Sequence, residues 1–160
     1  MTSRTATAAL LAVVLDSFGA AGDYLIQTDH DARTKGAADS RPVTCDQHPA
    51  GHGTRDGRAA CLSHVASFTA TQAAGLFAAR RLTGLPVPPA RLAAVLAVSA
   101  ITHYAIDRRE GLRRAAHATG KGQFYDLADH GINGAALMDQ AVHKTVHVLT
   151  ALAAAGRTHR

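Results

Sequence analysis

A chain of 160 residues is long enough for one ordinary domain and too short for two, which excludes multidomain enzymes. Hydrophobic residues make up 47% and charged residues 18%, so a wholly disordered chain is excluded as well. The formal net charge of +5, with histidine neutral, favours phosphates, acidic lipids or nucleic acid as partners. Alanine is abundant, tryptophan is absent and Glu110 is the single glutamate, so the composition predicts helices packed closely through small side chains.

Four segments are rich in apolar and small residues, and each has the length of a helix. They cover residues 5–27, 58–79, 90–107 and 135–156. A polar loop at about 28–57 and a basic loop at about 108–134 separate them, with a short proline-rich connection between the middle two. No internal repeat or long alternating pattern is present. The sequence predicts a single helical domain over 1–160, of the all-α class, folded as a four-helix up-and-down bundle.

The outer faces of these helices carry Ala, Leu and Val where a soluble bundle would carry Lys and Glu. Residues 59–79 contain no charged side chain, and about 20 residues suffice to cross a bilayer core. We therefore expect a multi-pass protein of the cell membrane with lipid as a partner; a soluble or peripheral bundle is the alternative. The first segment could also be read as a secretory signal cleaved after Ala21, although Asp16 beside its apolar run argues against this.

Acidic and imidazole side chains gather near particular ends of the predicted helices. Short connections make successive helices antiparallel, so the end of the first, the start of the second, the end of the third and the start of the fourth share one level. The residues expected to meet there are Asp23, His64, His103, Asp107, Asp139 and His143. Two pairs among them have i, i+4 spacing, which places both side chains on one helix face.

Bare carboxylates inside an apolar bundle cost several kcal/mol unless they are paired, protonated or bound to a cation. Asp and His together are ligands that Zn, Mn or Fe accepts. We predict a divalent transition-metal site with His64, His103, Asp107, Asp139 and His143 as ligands, and with Asp23 as a ligand or catalytic general base. A purely structural Asp–His network and a proton or ion path are the alternatives.

Basic residues crowd the third connection at the same predicted level. Arg108, Arg109 and Lys121 could clamp an anionic small-molecule substrate above the metal; a solvated loop flanking the membrane is the simpler interpretation. Nucleic-acid binding rests on charge alone, because the sequence shows no recognition helix and no aromatic platform. Neither Cys45 nor Cys61 has a histidine in a pattern that suggests a nucleophile.

Several short motifs carry a resemblance to a family of short bacterial membrane proteins of unknown function, especially its actinobacterial members. They are GDYLIQTDH at 22–30 with Lys35, HVASFTATQ at 64–72, THYAIDRR at 102–109, GKGQFY at 120–125, and DQ at 139–140 followed by His143. The resemblance covers most of the chain and implies a polytopic membrane protein with a polar cluster at these Asp and His positions. It supplies no reaction, and Gly19 stands where other members often carry a histidine.

These observations lead to three predicted functions. The first is a membrane-embedded metal protein, hydrolase-like toward a phosphate or lipid-derived ester. The second is a non-catalytic membrane protein whose Asp–His network holds the helices together, and whose small residues suit assembly with a second copy. The third is a soluble basic bundle on nucleic acid.

Overall fold

The computed structural model describes residues 3–45 and 48–156, and helices dominate this part of the chain, which confirms the all-α class. The helices are α1 (Arg4–Ala21), continued by a π-helical turn (Gly22–Ile26), α2 (Asp29–Thr34), α3 (Thr54–Thr83), α4 (Pro89–Asp107), α5 (Glu110–Ala118), α6 (Gly122–Tyr125) and α7 (Gly134–Ala154). The strands are β1 (Val43–Cys45), β2 (His48–His52), β3 (Ala128–Asp129) and β4 (Ile132–Asn133).

The four predicted apolar helices correspond to α1, α3, α4 and α7. Their observed bounds agree with the prediction to within a few residues, except that α3 starts four residues earlier, at Thr54, and ends at Thr83. The two predicted loops contain the shorter elements: α2, β1 and β2 in the polar loop, and α5, α6, β3 and β4 in the basic loop.

The chain divides into two compact units. The first comprises the described residues up to Gln27, then Val65–Thr102, and those from Lys144 onward. The second comprises Thr28–His64 and His103–His143.

The first unit is a helical bundle with an aliphatic core. The core draws on α1, α3, α4, α7 and the connection between α3 and α4; its buried residues are Leu11, Val14, Leu15, Leu76, Ala79, Leu85, Val87, Leu92, Val95, Ala151 and Ala154. Close approach depends on small residues: a Cβ on Gly75 would collide with the ring of Phe18. The alanine-rich composition thus serves tight helix packing, as predicted.

Local chemistry fixes the helix ends of this unit. Ser3 caps α1 by accepting a hydrogen bond from the backbone N–H of Ala6 at 3.1 Å. Gly84, with φ +66°, follows the end of α3, and Pro89 occupies the first position of α4, where its missing N–H costs nothing. Arg91 donates to the carbonyl oxygen of Ala154 at 3.0 Å and so satisfies the C-terminal end of α7.

The second unit combines helix ends with two short hairpins. Thr28 caps α2 by accepting from the backbone N–H of Asp31 at 3.1 Å. β1 and β2 pair antiparallel with an irregular register, and β3 and β4 pair through a two-residue turn. Both residues of that turn, His130 and Gly131, have positive φ, as a type I′ turn requires.

Within the described part of the chain, two helices are long and apolar enough to cross a membrane: Arg4–Ile26, which includes the π-helical turn, and Pro89–Asp107. The test uses length and composition only, and a signal sequence or the core helix of a soluble protein can also pass it.

Candidate metal centre

The second unit gathers a buried cluster of polar side chains from three long helices. His64 belongs to α3, His103 and Asp107 are one turn apart at the end of α4, and His143 belongs to α7. All four are at most 3% exposed. The i, i+4 spacing on α4 places its two side chains on one face, as the sequence predicted.

The carboxylate of Asp107 is the centre of this cluster. Its Oδ2 atom lies 3.1 Å from Nε2 of His103 and 3.3 Å from Nε2 of His64. These two nitrogens are 2.9 Å apart. On the other side, Nε2 of His143 lies 3.7 Å from Oδ1 of Asp107, and the rings of His103 and His143 stack with centroids 4.1 Å apart.

This arrangement creates a conflict over protons. An imidazole nitrogen can donate to Asp107 only when it carries a proton, but two protonated nitrogens 2.9 Å apart would repel each other. One shared proton between His64 and His103 resolves the conflict, and so does a cation that both lone pairs bind. His103, Asp107 and His143 offer ligand atoms that all lie within 4.8 Å of one another.

Asp139 and Lys35 extend the cluster. Oδ2 of Asp139 lies 3.4 Å from Nε2 of His143 and its side chain is 19% exposed, so it borders the buried group. Lys35 places its Nζ 3.0 Å from Oδ2 of Asp107. Residue type and spacing did not predict Lys35 as a site residue, and the only signal for it was its presence in the motif resemblance.

Two arginines hold the Lys35 segment by its backbone. Arg108 donates to the carbonyl oxygens of Lys35 and Ala37, at 2.6 and 2.7 Å. Arg109, with φ +63°, donates to the carbonyl oxygen of Ala32 at 3.1 Å. These bonds engage some of the five N–H groups of each guanidinium, so the predicted anion clamp would have to use the others.

The remaining basic side chains of this region are divided between an ion-pair group and solvent. Arg113 and Arg114 bind Glu110 at 3.1 and 2.7 Å, and these bonds lower the pKa of Glu110 to about 2. Lys121, the third predicted anion-binding residue, is exposed at the N-terminal end of α6. Anion binding by Arg108, Arg109 and Lys121 stays a prediction.

Asp23 belongs to the first unit, in the π-helical turn, where its side chain is half-buried. Its role as a ligand or general base therefore stays a prediction from sequence. The structure does bring together the five predicted ligands, because all of them belong to the second unit.

The first unit has a polar cluster of its own, centred on Gln72. The side-chain amide of Gln72 donates to the carbonyl oxygen of Leu15 and to Nε2 of His147, at 3.0 and 3.1 Å, while Ser99 donates to its Oε1 at 2.7 Å. A Cβ on Gly19 would lie 2.9 Å from the His147 ring. His147 thus occupies the space beside Gly19.

No protein-family model matches the chain, and no curated protein or solved structure is detectably similar to it. The motif resemblance therefore stays a prediction, and the chemistry of the site has to be argued from its own residues.

Proposed function

We propose that this protein is a membrane-embedded metal protein that binds one divalent transition metal through His64, His103, Asp107 and His143. The observation that carries the proposal is the convergence of three imidazole nitrogens on one carboxylate that is 1% exposed. A buried negative charge of this kind needs compensating positive charge. Lys35 supplies one such charge, and an ion held by the imidazole lone pairs would supply more. Imidazole and carboxylate together favour Zn, Mn or Fe over Ca or Mg.

The spacing of the donor atoms supports a metal. Two ligands that each bind an ion at about 2.0–2.2 Å lie about 2.9–3.5 Å apart, for angles between octahedral and tetrahedral values. The three distances among His64 Nε2, His103 Nε2 and Asp107 Oδ2 are 2.9, 3.1 and 3.3 Å. These atoms therefore have the spacing of one face of a coordination shell, and His143 would be the fourth ligand.

Asp139 suits a supporting role around the ion, and Lys35 is compatible with one. Asp139 lies against His143 and adds a second negative charge, either as a further ligand or as the group that orients this histidine. Lys35 can donate to one lone pair of Asp107 Oδ2 while the metal takes the other.

The membrane part of the proposal rests on exposed apolar surface. The most apolar stretch of Arg4–Ile26 is only 28% buried, and that of Pro89–Asp107 is only 22% buried. The core helix of a soluble protein would be mostly buried. Large apolar side chains of the first unit face outward; they include Val13, Leu25, Phe77, Leu82, Ile101, Leu149 and Leu152. Lipid would cover such a surface at no hydrophobic cost, so we infer a multi-pass up-and-down bundle.

The reaction that this site suits is hydrolysis. A bound Zn²⁺ lowers the pKa of a coordinated water and makes it a nucleophile near neutral pH. His103 and Asp107 lie in the last turn of the candidate span Pro89–Asp107, so a water there would be near a membrane boundary. A phosphate or lipid-derived ester would be the substrate, with Arg108, Arg109 and Lys121 binding its anionic group.

Elemental analysis tests the metal directly. Protein purified in detergent with a histidine-free affinity tag should contain about one transition-metal ion per chain. The Asp107→Asn and the Asp139→Ala, His143→Ala variants should lose it. His130→Ala is the matched control, because His130 is 88% exposed and pairs with its neighbour Asp129. Metal-free protein from a native purification, which also fails to take up added Zn²⁺, Mn²⁺ or Fe²⁺, refutes the proposal.

A second candidate function is favoured by Lys35. Its ammonium already lies 3.0 Å from Asp107, so the cluster could be a metal-free network that holds the helices together. In that case Lys35→Met should destabilise the protein, and no variant should change its metal content. If the metal hypothesis holds, the same change removes a competing positive charge and should leave metal binding intact or stronger.

A further inference from the structure

A second chemical group lies in the β1–β2 hairpin of the second unit. Val43 pairs with His52 across the two strands, and Cys45 is two residues further along the same strand. The register shifts between Val43 and Cys45, whose Cα partner is His48, so the approach of Cys45 to His52 is shown by the side-chain distance. The Sγ atom of Cys45 is 3.6 Å from Nε2 of His52.

The other nitrogen of His52 has a carboxylate partner. Nδ1 lies 3.1 Å from Oδ2 of Asp56, which is four residues later in the first turn of α3. The start of this helix is anchored: the backbone N–H of Thr54 donates to Asp39 Oδ1 at 2.8 Å, and the backbone N–H of Asp39 donates to Thr54 Oγ1 at 2.9 Å. These bonds also lower the pKa of Asp39.

The thiol, the imidazole and the carboxylate are therefore linked by two successive side-chain contacts. A thiol becomes an effective nucleophile when a base next to it takes its proton, and a third group that holds the imidazole completes the arrangement. His52 is buried and Cys45 is partly exposed, so the imidazole is fixed while the sulfur can be reached. Cys45 and then Asp56 raise the pKa of His52, which makes its imidazole a stronger base toward the thiol proton.

An open cleft of about 470 Å³ adjoins His52 and Asp56. His52 and Asp56 line it together with His30, Asp31, Ala59, Ala60 and Ser63. The ring of His30 meets that of His52 edge-on at 5.5 Å, and Ser63 donates to Asp31 at 3.0 Å. His52 and Asp56 border the cleft, whereas Cys45 is partly exposed outside its described lining.

We propose that Cys45, His52 and Asp56 form a thiol site that transfers acyl groups from esters and thioesters to water. His52 Nε2 takes the proton of the Cys45 thiol as Sγ attacks the carbonyl carbon. The bond from that carbon to the leaving group breaks, and the leaving oxygen or sulfur takes the proton from His52. Water then adds to the acyl carbon, the carbon–Sγ bond breaks, and a proton returns to Cys45 through His52.

Roles follow from the contacts. Cys45 is the nucleophile and His52 is the general base and acid. Asp56 is a positioning residue, because it touches only the imidazole and fixes which nitrogen faces the sulfur. The site is separate from the proposed metal ligands, and its reaction needs no metal.

Stopped-flow hydrolysis of p-nitrophenyl acetate, a neutral ester, tests the proposal. With chelator present, the intact protein should release about one equivalent of nitrophenol in a burst, and mass spectrometry should find the acetyl group on Cys45. Cys45→Ser should abolish the burst, and His52→Gln should slow it about 100-fold or more. Cys61→Ser is the matched control; this second thiol is buried and donates to the Tyr104 carbonyl oxygen at 3.7 Å, so the burst should persist.

Asp56→Asn keeps the proposal testable if the other variants fail to fold, because Asp56 is 51% exposed. It should slow the burst and shift its pH profile. A His130→Ala variant should react at the normal rate, because this exposed imidazole belongs to neither site. A burst that survives in Cys45→Ser, or a rate and pH profile that are the same in His52→Gln as in the intact protein, would overturn the proposal.

Discussion

The Asp107→Asn substitution isolates the charge at the centre of the buried cluster. The amide has nearly the volume of the carboxylate, so packing is preserved and one negative charge is lost. Lys35 keeps its positive charge, but the partner that lies 3.0 Å from its ammonium is now neutral. The Lys35 side chain is only 11% exposed. Removing one member of a buried ion pair leaves the other charge uncompensated.

The expected cost follows from that burial. Loss of one partner of a buried pair costs about 3–5 kcal/mol, and the residual exposure of Lys35 places this case at the lower end, at about 3 kcal/mol. For a chain of this length, about 1 kcal/mol corresponds to 2–4 °C, so the melting temperature should fall by about 6–12 °C. The double variant with Lys35→Met should recover part of this loss, with a coupling free energy of about 2 kcal/mol.

Thermal unfolding followed by far-ultraviolet circular dichroism suits this chain, because it contains no tryptophan. Chelator in every sample separates the ion pair from any contribution of bound metal. Glu110→Gln is the matched control: its carboxylate is 41% exposed and binds arginines at the surface, so the change should cost less than about 1 kcal/mol. A coupling free energy below about 0.5 kcal/mol between Lys35 and Asp107 would refute the argument.

Two further predictions concern backbone packing and pH. Gly57→Ala should lower the melting temperature, because the new Cβ would meet the carbonyl oxygen of Ala37; Gly111→Ala, where nothing lies within 4 Å, should raise it slightly. The pKa of His52 is raised in the folded protein, so its protonated imidazole stabilises the fold. This contribution should be complete below the unfolded-state pKa of about 6.5 and should be lost as pH rises through the folded-state pKa. Melting curves over this range should therefore show a His52-dependent decline toward alkaline pH, and neither His52→Gln nor Asp56→Asn should show the full decline.

The long helices could be predicted because their signal is local. Apolar runs of helical length gave α1, α4 and α7 within one or two residues at most ends, and i, i+4 spacing correctly put His103 and Asp107 on one face. The expected alternation of helix directions predicted that imidazoles and carboxylates from α3, α4 and α7 would meet. These inferences need only periodicity and connection length.

The parts that could not be predicted depend on contacts between distant residues. β1 and β2 are too short to show alternation, so their spacing did not reveal that Cys45 lies 3.6 Å from His52, and neither cysteine showed a pattern typical of a nucleophile. Lys35 lies in a polar stretch whose path depends on bonds from Arg108 and Arg109. A linear spacing rule carries no information about either arrangement.

Two neighbouring residues at the end of α4 contact Lys35: Asp107 binds its ammonium, and Arg108 donates to its carbonyl oxygen. The ammonium therefore cannot swing toward solvent by a rotamer change alone without giving up the carboxylate, and its main chain cannot drift while the guanidinium holds. If a competing ion displaces the ammonium from Asp107, the four-carbon side chain of Lys35 has to change its conformation while the backbone stays in place. The cluster should accordingly switch between few discrete arrangements instead of relaxing gradually.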